Sequence, residues 1–194
     1  MPTGRVAARR AATKEAILDA AWDLAHSEGL GRIGMRELAS RLDMAASSLY
    51  EYFDGKDAIY DAMFVQGNEA LRAHVSELET SDFANSRDAL IAMGRAFVSF
   101  CDEDHARFQL LFQHSIPGWK PSDPAYATAV ANLEAMRSFM ASLGIADDES
   151  IDMWTALTSG LASQQVANDP GGDRWLRLVD GAVHMYIASR GATT

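Results

Sequence analysis

Two short amphipathic segments between residues 32 and 64 constrain the fold of this chain more than any other feature. The first, "MRELASRL", repeats apolar residues at helical spacing, and the second, "AASSLYEYF", pairs Leu49 with Phe53 in the same way. Because isolated helices of about two turns do not hold together in water, they need a third helix beneath them. The upstream run "AILDAAWDLA" supplies that apolar face. The segments therefore predict a helix-turn-helix unit, whose second helix enters the DNA major groove.

Helical periodicity also dominates the rest of the chain. After a break at "DGKD", a long helix begins in "KDAIYDAMF", and further helices are predicted at roughly 84–102, 104–114, 124–143, 148–168 and 172–190. The proline-rich stretch "SIPGWKPSDPAY" and the "NDPGGD" stretch at 168–173 predict loops. Strand alternation and internal repeats are not evident. The sequence therefore predicts an all-α fold of about nine helices, with a three-helix N-terminal domain and a larger helical remainder.

Charge is distributed unevenly along the 194 residues, whose net charge is −10. Residues 1–56 hold eight basic and eight acidic residues, and the remainder holds nine and nineteen. The N-terminal tip carries Arg5, Arg9, Arg10 and Lys14 with no acidic residue through position 14. Such a tip could track DNA phosphates or enter the minor groove, or it could be only a disordered tail. We expect both, a tip that is disordered when free and ordered in contact with DNA.

The chain carries no apolar run long enough to span a bilayer and no signal-peptide pattern. The single Cys101 excludes an internal disulfide, so a cytoplasmic protein without membrane partners is expected. Cys101 and His105 are four residues apart with carboxylates between them, which makes a metal site imaginable. A polar corner between helices explains the same residues, and structural zinc needs four ligands. We therefore predict neither metal nor cofactor.

The stretch "AILDAAWDLAHSEGLGRIGMRELASRLDMAASSLYEYFDGKDAIYDAMF" resembles the N-terminal domain of the tetracycline-repressor-like (TetR) family. "ILDAA" and Gly29 match the family's first helix and its exit, "MRELA" its second helix, "SSLYEYF" its recognition helix and "GKDAIY" the start of its fourth helix. Further on, "WTALTSGLA" is similar to a Trp-x-x-x-(His)-Gly signature of one subgroup. It keeps Trp154 and Gly160 and has Ser159 where histidine is common.

Four positions depart from the family pattern. The recognition helix starts with Ala45 and Ala46 where serine followed by lysine or arginine is usual, and losing the serine cap costs about 1 kcal/mol of helix stability. Gly34 replaces the Thr or Ser cap of the second helix. Asp43 replaces a turn glycine, and aspartate tolerates the left-handed conformation there. These changes affect DNA affinity and base preference rather than the fold.

The resemblance implies a DNA-binding role for ten residues. Tyr50 would donate to one phosphate and Lys56 would reach another, while hydroxyl groups face the groove and Ala46 could meet a thymine methyl group. The set is Arg5, Arg9, Arg10, Arg36, Ala46, Ser47, Ser48, Tyr50, Tyr52 and Lys56. The alternatives are a buried tyrosine, a solvated lysine or arginine, and serines that only start a helix. The apolar residues of both short helices, Leu38, Leu42, Leu49 and Phe53, are predicted core.

The resemblance also divides the chain into a helix-turn-helix domain over residues 1–55 and a ligand-binding and dimerisation domain over residues 56–194. The second would hold a mainly apolar pocket lined by Phe97, Phe108, Phe112, Trp119, Tyr126, Met136, Phe139 and Trp154. Polar groups that could orient a ligand are Gln113, His114 and Gln164. An aromatic and methionine stripe is otherwise ordinary core.

The function expected from these features is a ligand-responsive DNA-binding transcriptional regulator, a repressor released from a palindromic operator by a small, mainly apolar molecule. It would act as a homodimer through its last two helices, where Ala156, Gly160 and Ala182 permit close approach. The alternatives are a helical interaction protein or a small enzyme that has lost DNA binding. Without a Ser-His-Asp order, a phosphate-cradling glycine loop or a metal set, an enzyme is not expected.

Overall fold

The computed structural model describes residues 3–79 and 83–191, and every regular element in these ranges is helical. The nine α-helices are α1 (Thr3–Glu28), α2 (Met35–Arg41), α3 (Ala46–Leu49), α4 (Lys56–Glu79), α5 (Ser86–Glu103), α6 (His105–Phe112), α7 (Asp123–Ser142), α8 (Asp148–Asn168) and α9 (Val179–Gly191). Short 3-10 turns cover Leu30–Arg32 and Leu176–Leu178. The predicted all-α fold is thus confirmed. In the two described ranges, no helix combines the length and apolarity needed to cross a membrane.

The chain divides into two compact units. The first unit is formed by the chain up to Gly67 together with Gln109–Ala127, and the second by Asn68–Phe108 together with the chain from Thr128 onward. The first unit therefore draws on two separate stretches of sequence. The functional division at residue 55 remains a prediction.

The core of the first unit forms where α1, α2, α3 and the start of α4 meet. Leu38 and Leu49 are fully buried, and Phe53 is 7% exposed, which confirms them as core residues. Leu42 is only half-buried, because it is the C-cap residue of α2, where the chain turns towards solvent. The buried hydroxyl of Tyr60 donates to the carbonyl oxygen of Leu30 at 2.8 Å, which ties α4 to the exit of α1.

The segment between α6 and α7 packs on α4 inside the first unit. The ring of Trp119 lies 5.5 Å from that of Tyr60 and 6.0 Å from that of Phe64, measured between centroids. Its indole N–H donates to Asp61 Oδ1 at 3.2 Å, and the same oxygen accepts the backbone N–H of Ser122 at 3.2 Å. One carboxylate thus fixes both the ring and the backbone of this loop. The loop ends before Asp123, so the third proline of the predicted loop falls in the first turn of α7, where proline is tolerated.

In the second unit α5 packs closely on α8 and the start of α9. Gly94 makes this approach possible, since a Cβ atom there would lie 2.9 Å from Val179 Cγ1 and 3.3 Å from the Trp154 ring. The buried Trp154 ring meets Tyr186 edge-on, with centroids 5.5 Å apart. These aromatic residues join α8 to α9 beneath the surface.

The connection from α8 to α9 is organised by Gln165, whose side chain is fully buried. Its Oε1 accepts the backbone N–H groups of Trp175 at 3.0 Å and Leu176 at 3.2 Å, and its Nε2 donates to the carbonyl oxygen of Gly172 at 3.1 Å. The prediction of a last helix from residue 172 was wrong, because these bonds hold the chain in turns and α9 begins only at Val179.

Candidate nucleic-acid interface

The helix-turn-helix segment is built from α2, a tight turn and α3. Gly34 caps α2 with extended backbone, and Asp43 adopts the left-handed conformation at φ 53°, as predicted for both. Ala45 caps α3 without a side-chain hydrogen bond. The helix α3 is regular for only four residues and not for the two turns expected. The chain then continues in turns, with the N–H groups of Tyr52 and Phe53 both donating to the carbonyl oxygen of Leu49.

A surface depression of about 570 Å³ beside α3 brings together three predicted phosphate contacts, Arg36, Tyr50 and Lys56. Tyr50 is 54% exposed, so the alternative of a buried tyrosine is wrong. Lys56 is the first residue of α4, where the positive end of the helix dipole also favours an anion. Glu37 and Asp54 line the same depression.

Neighbouring arginines are already paired with carboxylates. Arg32 and Arg41 both contact Glu28, at 3.2 and 2.6 Å, and Arg41 also lies 3.4 Å from Glu37. Within the described parts of the chain, Arg36 and Lys56 have no such ion pair. They are therefore the cations of this depression that remain available to a phosphate.

The residues predicted to face the groove lie on or just after α3. Ser47 is exposed, whereas Ala46, Ser48 and Tyr52 are half-buried. The Tyr52 ring is covered on one face by the guanidinium group of Arg10, whose Cζ lies 5.1 Å from the ring centroid. Tyr52 thus presents only part of its side chain to an incoming duplex.

The expectation of a disordered N-terminal tip is wrong for the described residues. Arg5, Arg9 and Arg10 lie on exposed early turns of α1, which begins at Thr3. Alanine and arginine are strong helix formers, so this Ala-rich and Arg-rich stretch continues the helix instead of fraying. Arg10 Nη2 also donates to the carbonyl oxygen of Glu51, which fixes it to the end of α3.

The predicted ligand-binding residues differ in their exposure to solvent. Phe108, Trp119 and Trp154 are buried, while Phe112 and Tyr126 are exposed. Three others are half-buried, namely Phe97, Met136 and Phe139. The predicted orienting groups Gln113, His114 and Gln164 are all exposed. The amide that is buried on α8 belongs instead to the adjacent Gln165, which sequence periodicity alone could not single out.

A cavity of about 500 Å³ lies in the second unit, and of the eight predicted residues it includes only Phe139. It is open to solvent on one side, and its walls combine apolar side chains with an amide and three hydroxyl groups. The lining residues are Leu78, Phe83, Asn85, Ser86, Ala89, Ala135, Ser138, Phe139, Ser142 and Leu143. Six of the nine residues that sequence reasoning missed are small or polar, and such residues give no periodic signal.

The pair Cys101 and His105 gives no sign of a metal centre. Cys101 is fully buried, and this burial raises the pKa of its thiol to about 12. Across residues 3–79 and 83–191, no cluster of three or more metal-ligating side chains occurs. Cys101 therefore serves the described core as a small apolar side chain.

Exposed apolar side chains mark the outer faces of the last two helices. Met153 on α8 is 53% exposed and Met185 on α9 is 65% exposed. Gly160 and Gly181 lie on these faces, and a Cβ atom at either would meet nothing within 4 Å. Ala182, which was expected at a helix approach between subunits, is instead buried inside the chain.

Comparisons with known proteins agree with this geometry. Residues 17–63 match the sequence model of "Bacterial regulatory proteins, tetR family". The uncharacterized HTH-type transcriptional regulator YobS of Bacillus subtilis (strain 168) is 26% identical over 97 residues, which is 50% of each protein. The match thus spans about half the length of that curated relative.

Solved structures share the fold across most of the chain. A protein of unknown function from Rhodococcus sp. RHA1 has a TM-score of 0.77 at 17% identity, covering 91% of this chain and 94% of its own. A bacterial regulatory protein in the tetR family from Rhodococcus RHA1 has a TM-score of 0.65 at 19% identity, covering 89% and 96%. FadR from Bacillus subtilis in complex with stearoyl-CoA has a TM-score of 0.63 at 15% identity, covering 90% and 97%. Residues 17–63, which include α2 and α3, thus match the sequence model of the tetR family, while the solved structures, at 15–19% identity, show a shared fold.

Proposed function

We propose that this protein is a ligand-responsive repressor that binds a palindromic DNA operator as a homodimer and is released by a small, mainly apolar molecule. The observation that carries the DNA-binding part is the convergence of Arg36, Tyr50 and Lys56 in one depression beside α3. Because its target is chromosomal DNA, we place the protein in the cytoplasm.

The depression suits a phosphate group by its chemistry. It offers a hydroxyl donor on Tyr50, two cations and the N-terminal end of α4. The carboxylates of Glu37 and Asp54 line the same depression, and they disfavour an anion next to them. A phosphate is thus directed towards the cations. Phosphate contacts of this kind set the position of the protein on the duplex, while base edges are read from α3.

Dimerisation through α8 and α9 is supported by their outer faces. Met153 and Met185 are exposed apolar side chains, and Gly160 and Gly181 leave room for a neighbouring helix. Two such helices from each of two chains would form a four-helix bundle. Twofold symmetry then requires a palindromic operator, with half-sites separated by one helical turn or slightly more.

The effector site we propose is the 500 Å³ cavity of the second unit, whose volume falls within the usual range of ligand pockets. Phe139 and Leu143 contribute apolar wall, while Ser138 and Ser142 offer hydroxyl groups. A similar fold holds stearoyl-CoA in FadR, and this supports an apolar chain with a polar end as the ligand class. The ligand acts by favouring a dimer whose α3 helices no longer match successive major grooves.

The DNA-binding proposal is tested by enriching duplexes from a random pool with the wild-type protein and measuring their affinity as salt is varied. Tyr50→Phe removes one donor to a charged acceptor and should weaken binding by roughly tenfold without changing the salt slope. Lys56→Gln should reduce the slope of log K against log salt by about 0.9. Lys120→Gln, an exposed lysine between α6 and α7, is the control that matches the loss of charge.

Because phosphates carry no direct sequence information, both variants should weaken all sequences alike. A changed base preference in either variant would refute the role given to that residue. Failure of the wild-type protein to enrich any sequence would refute DNA binding itself.

Sedimentation of the wild-type protein tests the dimer. Met185→Glu places a charge on the outer face of α9 and should shift the protein to monomers. Leu133→Glu, at an exposed apolar position on α7, is the control and should leave the dimer intact. A wild-type monomer at micromolar concentration would rule out the proposed assembly.

A further inference from the structure

The C-terminal end of α3 has weak intrinsic support. Its regular part is four residues long, and the following turns end at the Asp54-Gly55 break. Helix ends leave backbone carbonyl groups without internal partners. A helix this short cannot hold its orientation alone, because its stability comes from what packs against it.

Side chains of α1 contact this end from more than 35 residues away in sequence. Arg10 and Lys14 are four residues apart, so they project from the same face of α1. The Arg10 guanidinium donates to the carbonyl oxygen of Glu51 and lies over the ring of Tyr52. The Lys14 ammonium lies 5.2 Å from the centre of the Phe53 ring. Glu51, Tyr52 and Phe53, in the turns that directly follow α3, are thus each contacted by α1.

We infer that Arg10 is a positioning residue that fixes the recognition helix, rather than a contact to DNA phosphate; the inference rests on the proposed DNA-binding function. The hydrogen bond from Arg10 satisfies the exposed carbonyl group of Glu51 in the turns that follow α3. The planar guanidinium does this while stacking on Tyr52, which a lysine ammonium cannot do with the same geometry. The donor and ring face that Arg10 uses are then not available to a phosphate.

This role has a distinct consequence for recognition. Base edges are read by side chains of α3, so a tilt of this helix disturbs contacts with the preferred sequence. Contacts with phosphates elsewhere in the interface persist. Loss of Arg10 should therefore lower the affinity for the preferred sequence, and leave the affinity for random-sequence DNA and its salt slope nearly unchanged.

The test compares Arg10→Gln and Arg10→Lys with Arg87→Gln, an exposed arginine on α5 that is not among the expected DNA contacts. The probes are the duplex enriched by the wild-type protein and a random-sequence duplex of equal length. We expect both Arg10 variants to reduce the ratio of specific to random affinity by about tenfold, from the summed hydrogen-bond and stacking contributions. Arg87→Gln should keep the wild-type ratio.

A phosphate contact predicts the opposite pattern. Arg10→Gln would then weaken both probes alike and lower the salt slope by about 0.9, while Arg10→Lys would retain binding. That result would overturn the inference. A loss of specificity together with a large fall in melting temperature would show a general folding role, and would also overturn it.

Amide hydrogen exchange of the free protein keeps this test separate from the proposed function. In Arg10→Gln the amides of Tyr52 and Phe53 should exchange several-fold faster than in the wild type, while amides in α8 should not change. Unchanged exchange at these two residues overturns the positioning role whether or not DNA binds. If the two amides exchange faster in Arg10→Gln but the wild-type protein enriches no DNA, the contact of Arg10 with Glu51 is supported and the proposed DNA-binding function is refuted.

Discussion

Replacing Gln165 by methionine would remove the hydrogen bonds that organise the connection from α8 to α9 without leaving a cavity. The two side chains have similar volume, and volume-conserving swaps cost little by themselves. The variant would leave the N–H groups of Trp175 and Leu176 and the carbonyl group of Gly172 without their present partner. The carbonyl oxygen of Asp169 also accepts from Gln165 Nε2, but it keeps the N–H of Gly172 as a donor, so three backbone groups lose their partner.

The expected magnitude follows from the surroundings of those three groups. An orphaned polar group that is fully buried costs about 1–3 kcal/mol. Trp175 and Leu176 are half-buried and Gly172 is exposed, so water can reach part of this turn. The lower end of the range applies, at about 1 kcal/mol for each group. We expect the free energy of unfolding to fall by about 3 kcal/mol and the melting temperature by roughly 6–12 °C for a chain of this size.

The neighbouring Gln164 provides a matched control on the same helix. It is exposed, and its Oε1 accepts from Asn168 Nδ2 at 2.8 Å. Gln164→Met should change stability by less than about 0.5 kcal/mol. Denaturant unfolding of both variants at one protein concentration makes the comparison, since dimerisation makes apparent stability depend on concentration. Equal losses in the two variants would refute the role assigned to Gln165.

A carboxyl group at the same position adds a pH test. Gln165→Glu keeps the acceptor for two N–H groups but brings a second carboxylate near Asp102, whose Oδ2 lies 3.4 Å from the Gln165 Nε2. Burial and this neighbour should raise the folded-state pKa of the introduced group above its unfolded value. Its protonated form is then favoured in the folded protein. The destabilisation should therefore shrink as pH falls and grow as pH rises through that pKa.

Three further predictions concern the packing of each unit. Gly94→Ala should destabilise the protein by about 1–2 kcal/mol in denaturant unfolding, because overpacking against Val179 outweighs the gain in helix propensity. The double variant with Val179→Ala should recover part of this loss, and a double variant whose loss equals the sum of the two single losses would contradict the steric explanation. The Cys101 thiol, whose pKa is raised to about 12 by burial, should resist thiol reagents at pH 8 until the protein unfolds, and rapid labelling of the native protein would contradict this prediction. The stability that the protonated thiol contributes should be present below the unfolded pKa near 9 and be lost as pH rises towards 12. Asp61→Ala should shift the fluorescence of Trp119 to longer wavelength as its loop loosens from α4, and an unchanged spectrum would mean that ring packing alone holds the loop.

The part of the structure that could be predicted from sequence is the part governed by local chemistry. The helix-turn-helix was predictable because its stripes, its glycine cap and a left-handed Asp43 act within a few residues. The convergence of Tyr50 and Lys56 followed from the resemblance, since periodicity cannot place residues from different helices in one depression. The single regular turn of α3 was not expected, because apolar residues at helical spacing indicate a helix but not how soon it ends.

What could not be predicted depends on partners distant in sequence. The charge of the Arg-rich tip led to the expectation of a disordered arm although its residues are good helix formers, and only the contact with Glu51 shows what fixes Arg10. Gln164 and Gln165 are identical in type and adjacent, so nothing in the sequence tells which one is buried. The aromatic residues grouped as a ligand site include Trp119 and Trp154, which belong to different compact units. Composition identifies such residues without telling which of them meet.

The first unit is formed from two separate stretches of sequence, and this matters when parts of two regulators are joined in one chimaeric chain. A chimaera joined at residue 55 or at Gly67 would take its DNA-binding helices from one parent and Trp119 from the other. The foreign loop would then have to supply a ring for Tyr60 and a donor for Asp61, and most replacements would leave that carboxylate without its indole partner. Exchange of sensing domains should therefore carry residues 109–127 with the N-terminal parent, as an inserted segment rather than a single crossover.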